Sequence, residues 1–160
     1  MKTESVQRRC LKGSTDNQKN TTMSSLQRFK DAQDRDYATA LSEIQNGRKR
    51  SHWMWYIFPQ IAGLGSTEIS RFYAIKDINE ATDYLVDQDL GLRLTNICKA
   101  LLLLDTNDAL EVFGSPDHLK LKSSMTLFDA VPATFPVFGQ VLDKFYDGER
   151  DKRTLDLLKK

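Results

Sequence analysis

No apolar run in this chain approaches the 18 residues or so that a membrane-spanning helix requires. Cysteine is scarce too. Cys10 and Cys98 are too few for a disulfide framework and too isolated for a zinc site. The expectation is a soluble, cytoplasmic protein in reducing surroundings. An excess of one charge is also missing: 23 lysines and arginines face 22 acids, a formal net charge of +1. A dedicated nucleic-acid binder needs a clear basic surplus and is not expected. No two segments alternate apolar and polar residues in a way that would pair them into a sheet. A nucleophile elbow, a calcium loop and a dinucleotide fingerprint following a strand are all absent. Neither a metal nor a cofactor is expected.

What is present divides at about residue 24. The first 24 residues hold five basic and two acidic side chains and only scattered apolar ones. With so little to bury, they read as a disordered basic tail, and they contain no apolar stretch of the kind a secretory signal needs. From residue 25 to 160 the apolar spacing is helical. Leu26 and Phe29 suggest a short helix, and Tyr37, Leu41 and Ile44 a second, stopped by Asn46-Gly47. Ile69, Phe72 and Tyr73 are expected to face inward from the next helix. Asp77 and Glu80 stand at capping-box spacing before Ile78, Ala81 and Leu85. The clearest stripe is Leu90, Leu94, Ile97, Leu101 and Leu104. Ala109, Leu110 and Phe113 mark a short helix before Gly114. Ser115 and Pro116 read as N-cap and first helical residue of the next. Phe138, Val141, Leu142 and Phe145 carry a later helix, and Leu155 and Leu158 a final turn or two. The fold class is therefore all-α: one domain over residues 25–160, with about six to eight helices.

Two stretches carry candidate chemistry. The first is GRKRSHWMWYIFPQ, residues 47–60, where three cations run into a histidine and six consecutive large apolar or aromatic residues. Apolar on every side, it must be largely buried, as a helix or an extended segment without a visible sheet partner. Trp53 and Trp55 offer ring faces, Arg48 offers positive charge, and His52 and Gln60 offer polar contacts at its two ends. His52 is the one candidate for acid–base work near neutral pH. The second stretch begins at Ser115, where Lys120, Ser123 and Ser124 share a helix face and suit a phosphate or carboxylate. Gly63-Leu64-Gly65-Ser66-Thr67 before a helix has the look of an anion-binding turn, but without a P-loop lysine it reads as a plain capped turn.

Residues 47–60, together with Phe113-Gly114-Ser115-Pro116-Asp117 and Lys120-Leu121-Lys122-Ser123-Ser124-Met125-Thr126-Leu127-Phe128, closely resemble the signature of domain-of-unknown-function family 1810. Leu26-Gln27-Arg28-Phe29 and Asp151-Lys152-Arg153-Thr154-Leu155 resemble its two ends. The resemblance implies a compact, mostly helical domain. Its members often carry the automatic label calpastatin, which this chain does not support: calpain inhibitors of that kind are long and disordered. Polar residues inside both main motifs point to a shared pocket. The expected ligand is small and anionic with a ring, such as a nucleotide or an ADP-ribose-like compound. It would be held by Arg48, Trp53, Trp55, Gln60, Lys120, Ser123 and Ser124, with His52 as the catalytic candidate. The competing expectation is a non-enzymatic protein-interaction module in which the aromatic motif is only core.

Overall fold

Apolar residues at three- and four-residue spacing (Leu26, Phe29, Ala32, Ala40 and Ile44, all buried) lie along one continuous helix, α1, residues 25–45. The computed structural model describes residues 25–160, so the expected tail lies outside the described residues. The two helices anticipated between Leu26 and Ile44 are thus joined. At its end Gly47 adopts φ +81°. Its N–H reaches the Ile44 carbonyl at 2.8 Å, and the Arg48 N–H reaches that of Glu43 at 3.1 Å, a Schellman closure.

The aromatic motif makes a single turn, α2 (Met54–Ile57). After Pro59 the chain becomes extended, and here it does find a partner. Ile61 forms an isolated parallel bridge with Ile75, through Ala62 N–H to the Ile75 carbonyl and Ile75 N–H to the Gln60 carbonyl, both 2.8 Å. Between them lies α3 (Glu68–Tyr73), capped by Thr67. Helix α4 (Ile78–Val86) starts at the anticipated cap, with the Glu80 N–H on Asp77 Oδ1 at 2.9 Å. The Glu80 carboxylate accepts from Lys76 N–H and from Arg28. Helix α5 (Gln88–Leu102) leaves α4 at a corner that only glycine fits, because a Cβ on Gly91 would lie 2.2 Å from the Leu85 carbonyl oxygen.

Then come α6 (Ala109–Phe113), α7 (Asp117–Asp129), α8 (Val137–Tyr146) and α9 (Lys152–Leu158). Helix α7 is central. It buries Leu121 and every residue from Ser123 to Phe128 and packs against α8, α6, α9 and α4. Trp53, Phe58, Tyr84, Phe128 and Phe138 belong to one contiguous apolar core. A buried amide bolts its polar seams: Gln33 Nε2 donates to the Tyr56 carbonyl and to the Tyr84 hydroxyl, both at 2.8 Å, tying α1 to α2 and α4.

The all-α class stands, and the one-turn α2 brings the helices to nine among the described residues. None of these helices is long and apolar enough to cross a membrane. Some inward assignments reverse. Helix α3 buries none of its six residues. It is too short to turn more than one edge to the core, so Tyr73 packs on Phe29 and Tyr56 while Ile69 and Phe72 face solvent. In α9, Leu157 and Leu158 pack inward and Leu155 outward. Ser115 is not a cap: Pro116, after a cis peptide bond, is the N-cap of α7.

Candidate functional site: a groove between the aromatic motif and α7

Of the three cations before His52, the middle one turns inward. Lys49 Nζ, on a side chain only 9% exposed, lies 2.9 Å from Asp117 Oδ2 and 5.1 Å from the centre of the Trp53 ring. Arg48 and Arg50 point to solvent. Glu43, on the last turn of α1, gathers the rest of the loop. Its carboxylate accepts from the Arg50 N–H at 2.7 Å, the Ser51 N–H at 2.9 Å, the Ser51 hydroxyl at 2.6 Å and the Trp53 indole N–H at 2.9 Å. Burial pushes this carboxyl up, but those four donors outweigh it and bring it from 4.5 down to about 2. Trp53 is thereby sealed into the core with its one polar atom satisfied.

Trp55, two residues on, has a different setting. Its ring is only partly buried, and Lys120 Nζ from α7 lies 5.2 Å from its centre. Lys120 also lies 3.2 Å from Asp117 Oδ1. Two ammonium groups therefore share one carboxylate and leave a local surplus of positive charge. Beside them opens a groove of about 450 Å³, walled by Trp55, Gln60, Lys120, Ser123, Asp151 and Arg153 and rimmed by Leu119 and the turn at 64–67. That volume falls within the usual range for small-molecule sites. Helix α9 closes one side. The Asp151 carboxylate accepts from the Ser123 hydroxyl at 3.2 Å and caps α9 through Thr154, while Arg153 donates to the Gly63 carbonyl at 3.4 Å.

The fold brings Trp55, Gln60, Lys120 and Ser123 together from the two motifs. It does not bring in Arg48, His52, Trp53 or Ser124. The His52 ring is exposed and has no hydrogen-bond partner among the described residues; only its backbone carbonyl is engaged, by the Tyr56 hydroxyl at 3.2 Å. Ser124 is fully buried and its hydroxyl has no hydrogen-bond partner among the described residues. Neighbouring residues on a helix lie about 100° apart. With Ser123 on the groove, Ser124 faces the core. Asp151 and Arg153 were missed as site residues because they stand far off in the chain, although both belong to its closing motif. The turn at 63–67 is capped as expected, Thr67 Oγ1 accepting from the Ser70 N–H at 3.2 Å, and it also contributes a wall. Among the described residues no three histidine, cysteine or carboxylate side chains converge as a metal site would require.

A family model described as "Protein of unknown function (DUF1810)" matches residues 23–158. The chain belongs to this family. Both main motifs and the groove residues between them fall inside the matched span. The crystal structure of the conserved hypothetical protein Rv1873 from Mycobacterium tuberculosis is similar, with 41% identity and a TM-score of 0.82 over 84% of this chain and 96% of that one. No curated protein matches. Neither description names an activity, which leaves the geometry of the groove as the guide to function.

Proposed function

We propose that this DUF1810 chain binds a small anionic ligand with a planar ring, of the nucleotide or ADP-ribose kind, in the groove between the aromatic motif and α7. The observation that carries this reading is the convergence of Trp55, Gln60, Lys120 and Ser123, from two motifs some 60 residues apart, on one groove of about 450 Å³. Trp55 supplies the ring face. Lys120 and Arg153 supply positive charge, and Gln60 and Ser123 supply hydrogen bonds. The role is binding: His52, the sole acid–base candidate in the motif, takes no part in the groove, and neither does Arg48.

The test is a titration of the ¹⁵N-labelled chain with nucleosides and nucleoside diphosphates. The chain has two tryptophans, so each indole N–H gives its own signal. The Trp55 signal is expected to move and the Trp53 signal to stay, with affinity falling about tenfold or more in Trp55→Ala. If no ring compound moves the Trp55 signal, the reading fails. A second reading, a protein-interaction module, is favoured by one observation: Ile69 and Phe72 stand exposed on α3 beside the groove. It requires Phe72→Asp to abolish capture of a protein partner while leaving ligand titrations untouched.

A further inference from the structure

Next to the groove, past Trp55 and Gln60, lies a smaller cavity of about 100 Å³, between residues 60–63 and α3. Trp55, Gln60, Gly65 and Ser70 line both spaces, which therefore adjoin. The two differ in the charged groups that line them. The larger groove holds Asp151, a Lys120 already paired with Asp117 and an Arg153 that donates to the Gly63 carbonyl. Arg71 lines the smaller one, which no aspartate or glutamate lines.

They differ in commitment as well. Arg71, Gln60 and Tyr73 all line the small cavity, and among the described residues the Arg71 guanidinium, the Gln60 side-chain amide and the Tyr73 hydroxyl have no hydrogen-bond or ion-pair partner. Two of these groups are nonetheless well positioned. The Tyr73 ring is packed by Phe29, Tyr56 and Phe72, with ring centres 4.8–5.9 Å apart. The Gln60 backbone is fixed by the bridge to Ile75. A guanidinium, an amide and a phenol, gathered without a competing carboxylate, form a donor set for an oxyanion. At about 100 Å³ the space is ample for one phosphoryl group and smaller than the cavity of roughly 150 Å³ that takes a benzene ring.

We propose that this cavity is a phosphate subsite, in which Arg71, Gln60 and Tyr73 donate to the oxygens of a terminal phosphoryl group while the ring of the same ligand lies against Trp55. The assignment rests on the groove reading above and moves the anion from Lys120 to Arg71. The ligand class is thereby a phosphorylated ring compound.

The experiment titrates the full ¹⁵N-labelled chain with inorganic phosphate, adenosine and ADP. It follows the Trp55 indole for the ring and, for the phosphate, the Arg71 Nε–H and the Ala62 and Gly63 amides, which belong to the cavity alone. Phosphate is expected to move the cavity signals alone, adenosine the Trp55 signal alone, and ADP both. Arg71→Ala, at an exposed position, is expected to weaken phosphate and ADP roughly 10- to 100-fold and to leave adenosine unchanged. Phosphate and ADP affinities untouched by Arg71→Ala, or lost only in Lys120→Ala, overturn the subsite while ring compounds that still move Trp55 preserve the groove. Phosphate bound through Arg71 with Trp55 silent to every ring compound does the reverse. No response to any of the three overturns both.

Discussion

Trp53 and Trp55 are separated by one residue and live in opposite worlds. The polar groups that meet the Trp53 ring have partners: its indole N–H is on Glu43, Glu43 is held by the loop, and Lys49 is paired with Asp117. Around Trp55 the groups are only half engaged. Lys120 shares its carboxylate with Lys49, and the Gln60 amide has no partner among the described residues. A region whose hydrogen bonds are closed holds the fold together. A region whose hydrogen bonds remain open, in a concave space, is prepared to form them with something else.

If that contrast is right, the largest effect belongs to Trp53→Ala. Removal of a fully buried indole from the core is expected to cost about 3–5 kcal/mol in urea denaturation. Trp55→Ala is expected to cost about 1 kcal/mol or less, because that ring is only partly buried and lines the groove. Equal losses at the two positions would erase the distinction. The next effect is at Lys49. Its ammonium is enclosed between Asp117 and the Trp53 ring, and Lys49→Ala is expected to destabilise by about 1–3 kcal/mol, in the range of hydrogen bonds to charged groups. Lys120, on the other oxygen of the same carboxylate but more exposed, should lose about 1 kcal/mol at most. A Lys120→Ala loss matching that of Lys49→Ala would make Lys120 a structural residue.

The Glu43 clamp gives a pH-dependent version of the same contrast. Its carboxyl sits at about 2 in the folded chain against an ordinary 4.5. A lowered folded value means that the stabilisation is fully present above about 4.5 and is lost as pH falls towards 2. Thermal midpoints of the native chain are expected to fall across that window. Glu43→Gln should start lower at neutral pH, by less than Trp53→Ala, and fall less steeply between pH 4.5 and 2. Parallel curves for the two proteins would show that protonation of Glu43 is not linked to folding.

Local sequence carried much of this architecture because helix periodicity and caps act over a few residues: the Asn46-Gly47 stop and the Asp77–Glu80 cap form where the spacing put them. The depth of burial was harder to read. Ile69 and Phe72 look like core by type, yet α3 is too short and too loosely packed to bury them. The candidate site was legible in halves. Trp55, Gln60, Lys120 and Ser123 stood out as polar or aromatic members of dense motifs. Arg153 and Arg71 did not, because an isolated arginine on a helix is ordinary until the fold places it beside a cavity. Trp53 and Ser124 lie off the groove for a related reason: composition marks a stretch, whereas the local backbone decides which of its neighbouring residues faces out.

His52 is where the smallest effect is expected, and it tests the contrast from its far edge. The residue stands immediately before Trp53 in sequence and shares neither tryptophan's setting. Its ring is exposed, no hydrogen bond to another described residue holds it, and it is absent from the groove wall. A substitution away from core, cap and charge network usually stays within about 0.5 kcal/mol. His52→Gln is therefore expected to keep the denaturation midpoint and to bind adenosine and ADP as the native chain does. A fall in ligand affinity with stability unchanged would show that the imidazole reaches the ligand after all, which requires the 50–53 loop to leave Glu43. That movement would appear as a shift of the Trp53 indole signal on ligand addition, so the two measurements together separate a silent surface histidine from one drawn into the site.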